Sequence, residues 1–289
     1  MYTGRFAPTP SGPLHLGSLS TAIGSFLRAR SQKGKWLLRI EDLDRQRCSM
    51  EASDSILKTL EIYGLEYDGC VIYQSRQVEK YREIIRSLQF RNLVYKCSCS
   101  RKRIKALGGI YDGRCRNTVH QENQNLSVRF RNPGTVLSFD DIARGHIETP
   151  AAESGEDFVL LRSDGTVAYN LAVVADDETE GVTEIVRGAD LIPVTTRQLN
   201  LISVLGYRTP VYMHLPLILS GTDLKYSKQN HAKPVNESDP SLMCATAMKC
   251  LGLILPPDLC RAPPREQLSW GIKNFRIDGI PRNNQTVSY

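Results

Sequence analysis

Three cysteines, Cys97, Cys99 and Cys115, fall within the stretch CSCSRKRIKALGGIYDGRC. Thiolates gathered this closely could bind zinc, which in a closed structural site takes four donors in a tetrahedron. Two residues compete for the fourth place. His120 offers an imidazole, the commoner zinc donor, while Tyr111 lies in YDGRC, where an Asp-Gly turn could bring its phenol back beside Cys115. The alternative without a metal is three buried thiols. The other five cysteines, Cys48, Cys70, Cys244, Cys250 and Cys260, are scattered and are expected to be structural. Arg101, Lys102, Arg103, Lys105, Arg114 and Arg116 surround the cluster. That basic density suits phosphate contacts on RNA, or is a solvated charged surface.

Two further stretches are suited to phosphate chemistry. PLHLGS, residues 13–18, places His15 and Gly17 where a helix begins, and helix N-termini present free N–H groups and a positive dipole end. Gly17 would let a nucleotide approach the backbone. KYSKQN, residues 225–230, puts Lys225 and Lys228 on a polar loop after a strand, where two ammonium groups could follow charge developing on a transferring phosphate. Taken singly, the first could be only a helix cap and the second only a solvated loop.

The elements that must position these groups follow from periodicity. TGRFAP reads as a strand, TPSGPLH as a tight loop, and Leu16, Leu19, Ile23, Phe26 and Leu27 recur at helical spacing before the strand WLLRIED. Strand, helix and strand make a parallel crossover, and in such sheets ligands sit at the carboxyl ends of the strands, next to His15, Glu41 and Asp42. Helices are expected over 50–63, closed by Gly64, and over 74–92. Between 94 and 188 the pattern changes to short strands and hairpins: SVRFR, VLSFDDIARGHI and DFVLLRSDGTVAYNL, the last turning at Asp164-Gly165. A helix over 196–205, a strand in VYMHLPLIL and the lysine loop then resume the first pattern.

The expected fold is therefore α/β: a doubly wound Rossmann-type parallel sheet split by an inserted α+β domain. Residues 1–93 and 189–235 form its halves, 94–188 the insertion with the cysteine cluster, and 236–289 a short helical C-terminal segment with an irregular tail. The 289 residues are 41% apolar and 24% charged, ordinary for a globular chain and unlike a disordered one. No apolar run approaches a bilayer span, and Arg5 with the early prolines spoils any leader, so a cytoplasmic location is expected. A net charge of +6 favours an anionic partner such as a nucleotide or nucleic acid.

Together and in this order, PLHLGS and KYSKQN resemble the paired signature of class I aminoacyl-tRNA synthetases. RFAPTPSGPLHLGSLSTA, RIEDLD, AYNLAVVADD and VRGADL resemble the glutamyl subgroup, over most of residues 3–235. Ser18 stands where the first motif usually ends in histidine, a substitution usual in that subgroup, and Tyr226 and Gln229 replace a Met and a Ser of the second. Glutamyl-tRNA synthetases are longer and carry an anticodon-binding region. A shorter glutamyl-type chain with a cysteine cluster resembles the glutamyl-queuosine tRNA(Asp) synthetases, which load glutamate onto queuosine in the anticodon of tRNA(Asp).

The resemblance implies ATP-dependent activation of glutamate with Mg²⁺ as counter-ion, transfer to tRNA(Asp), and one structural Zn²⁺ on Cys97, Cys99, Tyr111 and Cys115. It implies ATP contacts from His15, Gly17, Ser18 and Lys228, with His15, Lys225 and Lys228 catalytic. Glutamate carries two carboxylates and one ammonium, so its pocket needs two cationic forks and an acid. Arg5 and Arg187 could grip the carboxylates, Glu41 the ammonium, and Tyr169 could add a hydroxyl. The resemblance assigns substrate binding to these positions, with Arg5, Phe6, Ala7, Pro8 and Thr9 as one wall. The structural alternative is that Arg5 and Glu41 merely pair with each other. A monomer is expected. The alternative functions are the catalytic part of an ordinary glutamyl-tRNA synthetase acting at a tRNA 3′ end, and a non-catalytic zinc-containing RNA-binding module.

Overall fold

A computed structural model describes residues 1–120, 125–220, 235 and 239–287. The chain opens with strand β1 (Thr3–Phe6), helix α1 (Leu16–Ser31) and strand β2 (Lys35–Ile40), which runs parallel to β1 with Thr3 opposite Lys35. Helix α2 (Met50–Ile62) closes at Gly64, whose φ of +68° is a conformation that glycine adopts without strain. Strand β3 (Ile72–Tyr73) adds to β2 in parallel, and one tight turn at Gln74–Gln77 leads into α3 (Val78–Phe90).

A separate antiparallel sheet follows. It consists of β4 (Val94–Cys97), β5 (Ser127–Phe130) and β8 (Val159–Leu161), and the short helix α4 (Arg101–Ala106) leaves β4 beside the cysteines. Strands β6 (Ser138–Asp141) and β7 (Gly145–Glu148) form the expected hairpin, and α5 (Ala151–Ser154) follows it. After β8 the second limb of the expected hairpin shrinks to a bridge between Leu161 and Val167, and Tyr169 begins helix α6 (Tyr169–Thr179). The β-branched residues of AYNLAVV suit a strand locally, but here they fill a buried helix face, so tertiary packing overrides propensity.

Strand β9 (Glu184–Gly188) pairs in parallel with β10 (Val211–Leu215), which also pairs with β6. Thr183 N–H donates to Thr3 O at 2.9 Å, which sets β1 against β9. The layer therefore runs β3-β2-β1-β9-β10-β6-β7. Strand β9, inside the span expected for the insertion, lies in the parallel layer, and the β6-β7 hairpin extends that layer. Helix α7 (Ile192–Leu205) starts four residues before the expected 196, because Pro193 sits in its first turn, where a missing N–H costs nothing. Pro216 divides VYMHLPLIL into β10 and β11 (Ile218–Ser220). The C-terminal segment supplies α8 (Pro240–Cys250) and α9 (Pro264–Asn274), both packed on α1, and then β12 (Gln285–Val287), a strand in the tail expected to be irregular, parallel to β11.

Strand alternation divides the layer into two unlike faces. Phe6, Trp36, Leu38, Ile40, Val186, Met213 and Leu215 enter one core with α1, α8 and α9. Ile185 and Tyr212 enter a second with α3, α6 and α7. Helices thus cover both faces. The face toward α6 and α7 also carries Arg5, Arg39, Arg187 and His214, all buried. No helix among the described residues is long and apolar enough to cross a membrane.

Candidate active site and thiol cluster

The loop between β1 and α1 ends in a reciprocal cap. Ser18 N–H donates to His15 Nδ1 at 3.2 Å, and His15 N–H donates to Ser18 Oγ at 2.8 Å. Capping and phosphate binding are compatible here. Because Nδ1 accepts a backbone proton, the neutral ring carries its own proton on Nε2, a donor suited to a phosphate oxygen. Gly17 lies in the first turn of α1, which contains no acidic residue to oppose an anion. Lys225 and Lys228 lie outside the described residues.

At the carboxyl ends of the parallel strands the structure brings together Arg5, Glu41, Tyr169 and Arg187. The Tyr169 hydroxyl is held above its ordinary range by burial and feels the charges of Arg187, Glu41 and Arg5. Arg5 turns its bidentate edge to Asp177, at 2.9 and 3.3 Å, so the fork expected for a substrate carboxylate already holds one from α6. Pairing of Arg5 with Glu41 is not among the described ion pairs either. Asp177 also takes Arg39, which reaches Glu180 at 3.0 Å. Its neighbour Asp176 accepts from Lys80 at 2.6 Å, Gln74 at 2.8 Å and the Tyr81 hydroxyl. Burial pushes Asp177 up, but Arg39 and Arg5 outweigh it and hold the carboxyl below its ordinary range.

Arg187 has a different setting. Its Nε donates to His214 Nε2 at 3.0 Å, Nη1 to Gln198 Oε1 at 2.8 Å and Nη2 to Thr195 Oγ1 at 2.8 Å. No carboxylate pairs with it among the described residues. Glu41, 9% exposed, likewise has no ion-pair partner among them, and burial pushes its carboxyl up to about 7 against the pull of Arg39 and Arg5. A buried cation and a buried acid thus stand without an ion-pair partner among the described residues, an arrangement that costs free energy unless a counter-charge is supplied.

Of the expected wall, Phe6 stacks on Trp36 at 6.2 Å in the dry core, so its side chain faces away from the site. Pro8 O accepts from Glu41 N–H at 3.0 Å, tying the loop to the end of β2. Ala7 is half-buried, and Thr9 lines a cleft of about 360 Å³ together with Glu41 and Tyr169. Arg47, Arg101 and Arg162 line the same cleft, the last paired with Asp44 at 2.9 Å. The carboxylates on α6 and the pair His214 and Gln198 were not foreseen. A signal existed for the first, since Asp176 and Asp177 interrupt an apolar run in AYNLAVVADD.

At the end of β4 Cys97 converges with Cys99 and Cys115 from the β4–β5 connection, their sulfurs within 4.8 Å of one another. Cys99 Sγ lies 3.6 Å from Cys115 Sγ, and the Tyr111 hydroxyl lies 3.6 Å from Cys97 Sγ. The edge of a tetrahedron with zinc–sulfur bonds of about 2.3 Å is roughly 3.8 Å, so these spacings suit a common metal ion. Tyr111 is 4% exposed and folded back as its Asp-Gly turn allows, its oxygen accepting from Cys115 N–H at 2.7 Å. His120 does not join the group. Burial raises the Cys115 thiol, but hydrogen bonds from the Ser98 backbone and Cys99 carry it down to about 6. Of the surrounding cations, Arg103 pairs with Asp112 at 2.9 Å and Arg116 with Asp157 at 3.5 Å, while Arg101, Lys102, Lys105 and Arg114 are exposed.

Residues 2–240 match the family described as tRNA synthetases class I (E and Q), catalytic domain. The chain is 46% identical over 286 residues to the glutamyl-Q tRNA(Asp) synthetase of Photobacterium profundum, covering 99% of this chain and 92% of that protein. It is 45% identical over 290 residues to the protein of the same name from Escherichia coli K12, covering 99% and 94%. Its fold is similar to a crystal structure of glutamate-tRNA synthetase from Elizabethkingia anophelis, with a TM-score of 0.81 at 24% identity, covering 99% of this chain and 68% of that one.

Proposed function

Since this chain belongs to the class I tRNA synthetase family of the glutamate and glutamine enzymes, we propose that it activates L-glutamate with ATP and transfers the glutamyl group to queuosine in tRNA(Asp). The single observation that carries the amino-acid part is the unlike pair of buried ions at the carboxyl ends of β2 and β9. Arg187, held among the described residues by neutral groups, receives a glutamate carboxylate, and the Glu41 carboxylate receives the ammonium. Tyr169 contributes a hydroxyl from the N-terminus of α6, and Arg5 contributes charge tempered by Asp177.

Activation joins an α-carboxylate oxygen of glutamate to the α-phosphorus of ATP and breaks the bond to pyrophosphate. The His15 Nε2–H and the first-turn amides at Gly17 and Ser18 are placed for ATP phosphates, with Lys225 and Lys228 assigned to the leaving charge. Mg²⁺ would travel with ATP and neutralise its phosphates. A hydroxyl of the tRNA base then attacks the activated carbonyl and loses its proton as AMP departs. The cleft beside Glu41, bordered by Arg47 and Arg101, would admit that base, with exposed cations of α4 on RNA phosphates.

Cys97, Cys99, Cys115 and Tyr111 would hold one Zn²⁺. When bound it would close the loop between β4 and β5 as a structural cross-link, apart from the reacting atoms. The enzyme would act as a cytoplasmic monomer.

Exchange of labelled pyrophosphate into ATP tests the reading. Glutamate-dependent exchange without tRNA is expected. Exchange only with tRNA would favour an ordinary glutamyl-tRNA synthetase, and no exchange at all a non-catalytic RNA-binding module. Lys228→Ala should reduce exchange by about a hundredfold or more while leaving glutamate affinity near normal.

A further inference from the structure

Two side chains stand behind Arg187 with no part in the reaction described so far: His214 on β10, 0% exposed, and Asp141 at the end of β6, 2% exposed. They come from strands 73 positions apart in sequence, yet His214 Nδ1 lies 2.7 Å from Asp141 Oδ2. The other ring nitrogen, Nε2, lies 3.0 Å from Arg187 Nε. A guanidinium Nε can only donate, so the facing Nε2 must offer its lone pair. The ring proton therefore sits on Nδ1 and is donated to Asp141.

Asp141 is itself pinned. Its Oδ1 accepts from Ala143 and Arg144 N–H at 3.0 and 2.9 Å, and its Oδ2 from His214 N–H at 2.8 Å. The carboxylate fixes the imidazole tautomer, and the imidazole fixes the guanidinium. Gln198 and Thr195 hold the other two nitrogens, and Gln198 Nε2 donates in turn to Asn170 beside Tyr169 at 3.0 Å. Of the five N–H donors of a guanidinium, three are used, and two have no acceptor among the described residues. A carboxylate in direct contact would have oriented Arg187 equally well but neutralised it, as Asp177 does Arg5. An interposed neutral ring transmits orientation and leaves the charge.

We propose that Asp141 and His214 form a positioning relay that holds Arg187 aimed at the substrate carboxylate with its charge undiminished. The proposal rests on the reading that Arg187 binds glutamate. Neither residue touches substrate; each acts through the next.

Pyrophosphate exchange on the full chain, with KM measured separately for glutamate and ATP, tests it. Arg187→Lys checks the underlying reading and should raise the glutamate KM at least tenfold. His214→Leu should raise it by about tenfold, with the ATP KM within about twofold, because one hydrogen bond to a charged group is lost. His214→Gln, whose amide oxygen can replace Nε2 as acceptor, should recover most of that loss. Nitrogen-15 spectra of the ring should show the Nδ1–H tautomer in the unaltered protein and a shift toward Nε2–H in Asp141→Asn. If Arg187→Lys raises the glutamate KM but the His214 variants do not, or the two His214 variants are equally impaired toward both substrates, the relay is wrong and the glutamate site stands. If Arg187→Lys leaves the glutamate KM unchanged, both fall. Should His214→Leu fail to fold, an Nε2–H tautomer in the unaltered protein overturns the relay by itself.

Discussion

Arg5 and Arg187 lie on neighbouring parallel strands, are 3% and 4% exposed, and face the same helices, yet they are held in opposite ways. Arg5 sits in a lattice of full charges: Asp177, Arg39, Glu180, Asp176 and Lys80. Arg187 sits among an imidazole, an amide and a hydroxyl. Once buried and ion-paired, a guanidinium resists removal of its partner and has little field left over. A guanidinium held by dipoles has already been desolvated and still lacks a counter-charge, so a carboxylate that reaches it meets a prepared receptor. The first arrangement ties β1, β2 and α6 together; the second would leave Arg187 ready for an anion, as the proposed glutamate site requires.

The largest expected consequence is on the Arg5 side. Asp177→Asn removes the shared carboxylate of Arg5 and Arg39 and leaves two buried cations undercompensated, at a cost of about 3–5 kcal/mol of folding stability. Urea unfolding measures it. A loss below about 1 kcal/mol would mean that Glu180 and Asp176 carry the lattice without Asp177, and the contrast with Arg187 would weaken.

Acid should strike the two regions differently. Burial depresses His214 from its ordinary 6.5 to about 4, so its contribution to stability is fully present above pH 6.5 and is lost as pH falls toward 4. That loss amounts to about 3 kcal/mol. Asp177 is also depressed, and its contribution persists through this window because it is lost only at lower pH. Comparing urea unfolding of the unaltered protein and His214→Gln between pH 7.5 and 4.5 isolates the histidine. Equal pH slopes in the two proteins would remove it from the account.

Glu41 titrates in the opposite sense. With its carboxyl raised from 4.5 to about 7, its contribution to stability is fully present below pH 4.5 and lost as pH rises through 7, while ammonium binding needs the ionised form. For glutamate, kcat/KM should therefore fall about tenfold between pH 8 and pH 6, and Glu41→Gln should show a low value without that dependence. An unchanged profile in Glu41→Gln would assign the ammonium to another group.

How much of this was legible depends on how local each signal is. Arg5, His15 and Glu41 were placed by strand and helix ends, and the turn in YDGRC brought Tyr111 to the thiols. Arg39 and Asp177 stand in RIEDLD and AYNLAVVADD, but their contact joins residues 138 apart and is hidden by the strand-like composition of AYNLAVV, which forms a helix. His214 and Asp141 carry no local signal. A buried histidine in VYMHLPLIL reads as core, and only the pairing of β6 with β10 gives it a carboxylate. The contacts made within one chain segment are visible in the sequence; the long-range ones that give Arg5 a carboxylate and Arg187 an imidazole are not.

The smallest effect on stability is the one that separates the two regions most sharply. Arg187→Met deletes a buried charge that no carboxylate balances among the described residues; Thr195 Oγ1 keeps its bond to Leu191 O at 2.9 Å and Gln198 Nε2 its bond to Asn170 at 3.0 Å, while His214 Nε2 and Gln198 Oε1 each lose one donor. The methionine stem retains much of the packing volume. Folding stability should stay within about 1 kcal/mol of the unaltered protein, or rise, while glutamate-dependent exchange is lost. Arg5→Met, which strands Asp177, should lose several times more stability. A loss of about 3 kcal/mol in Arg187→Met would make Arg187 a brace like Arg5 and leave the acid Glu41 as the sole prepared partner for the substrate.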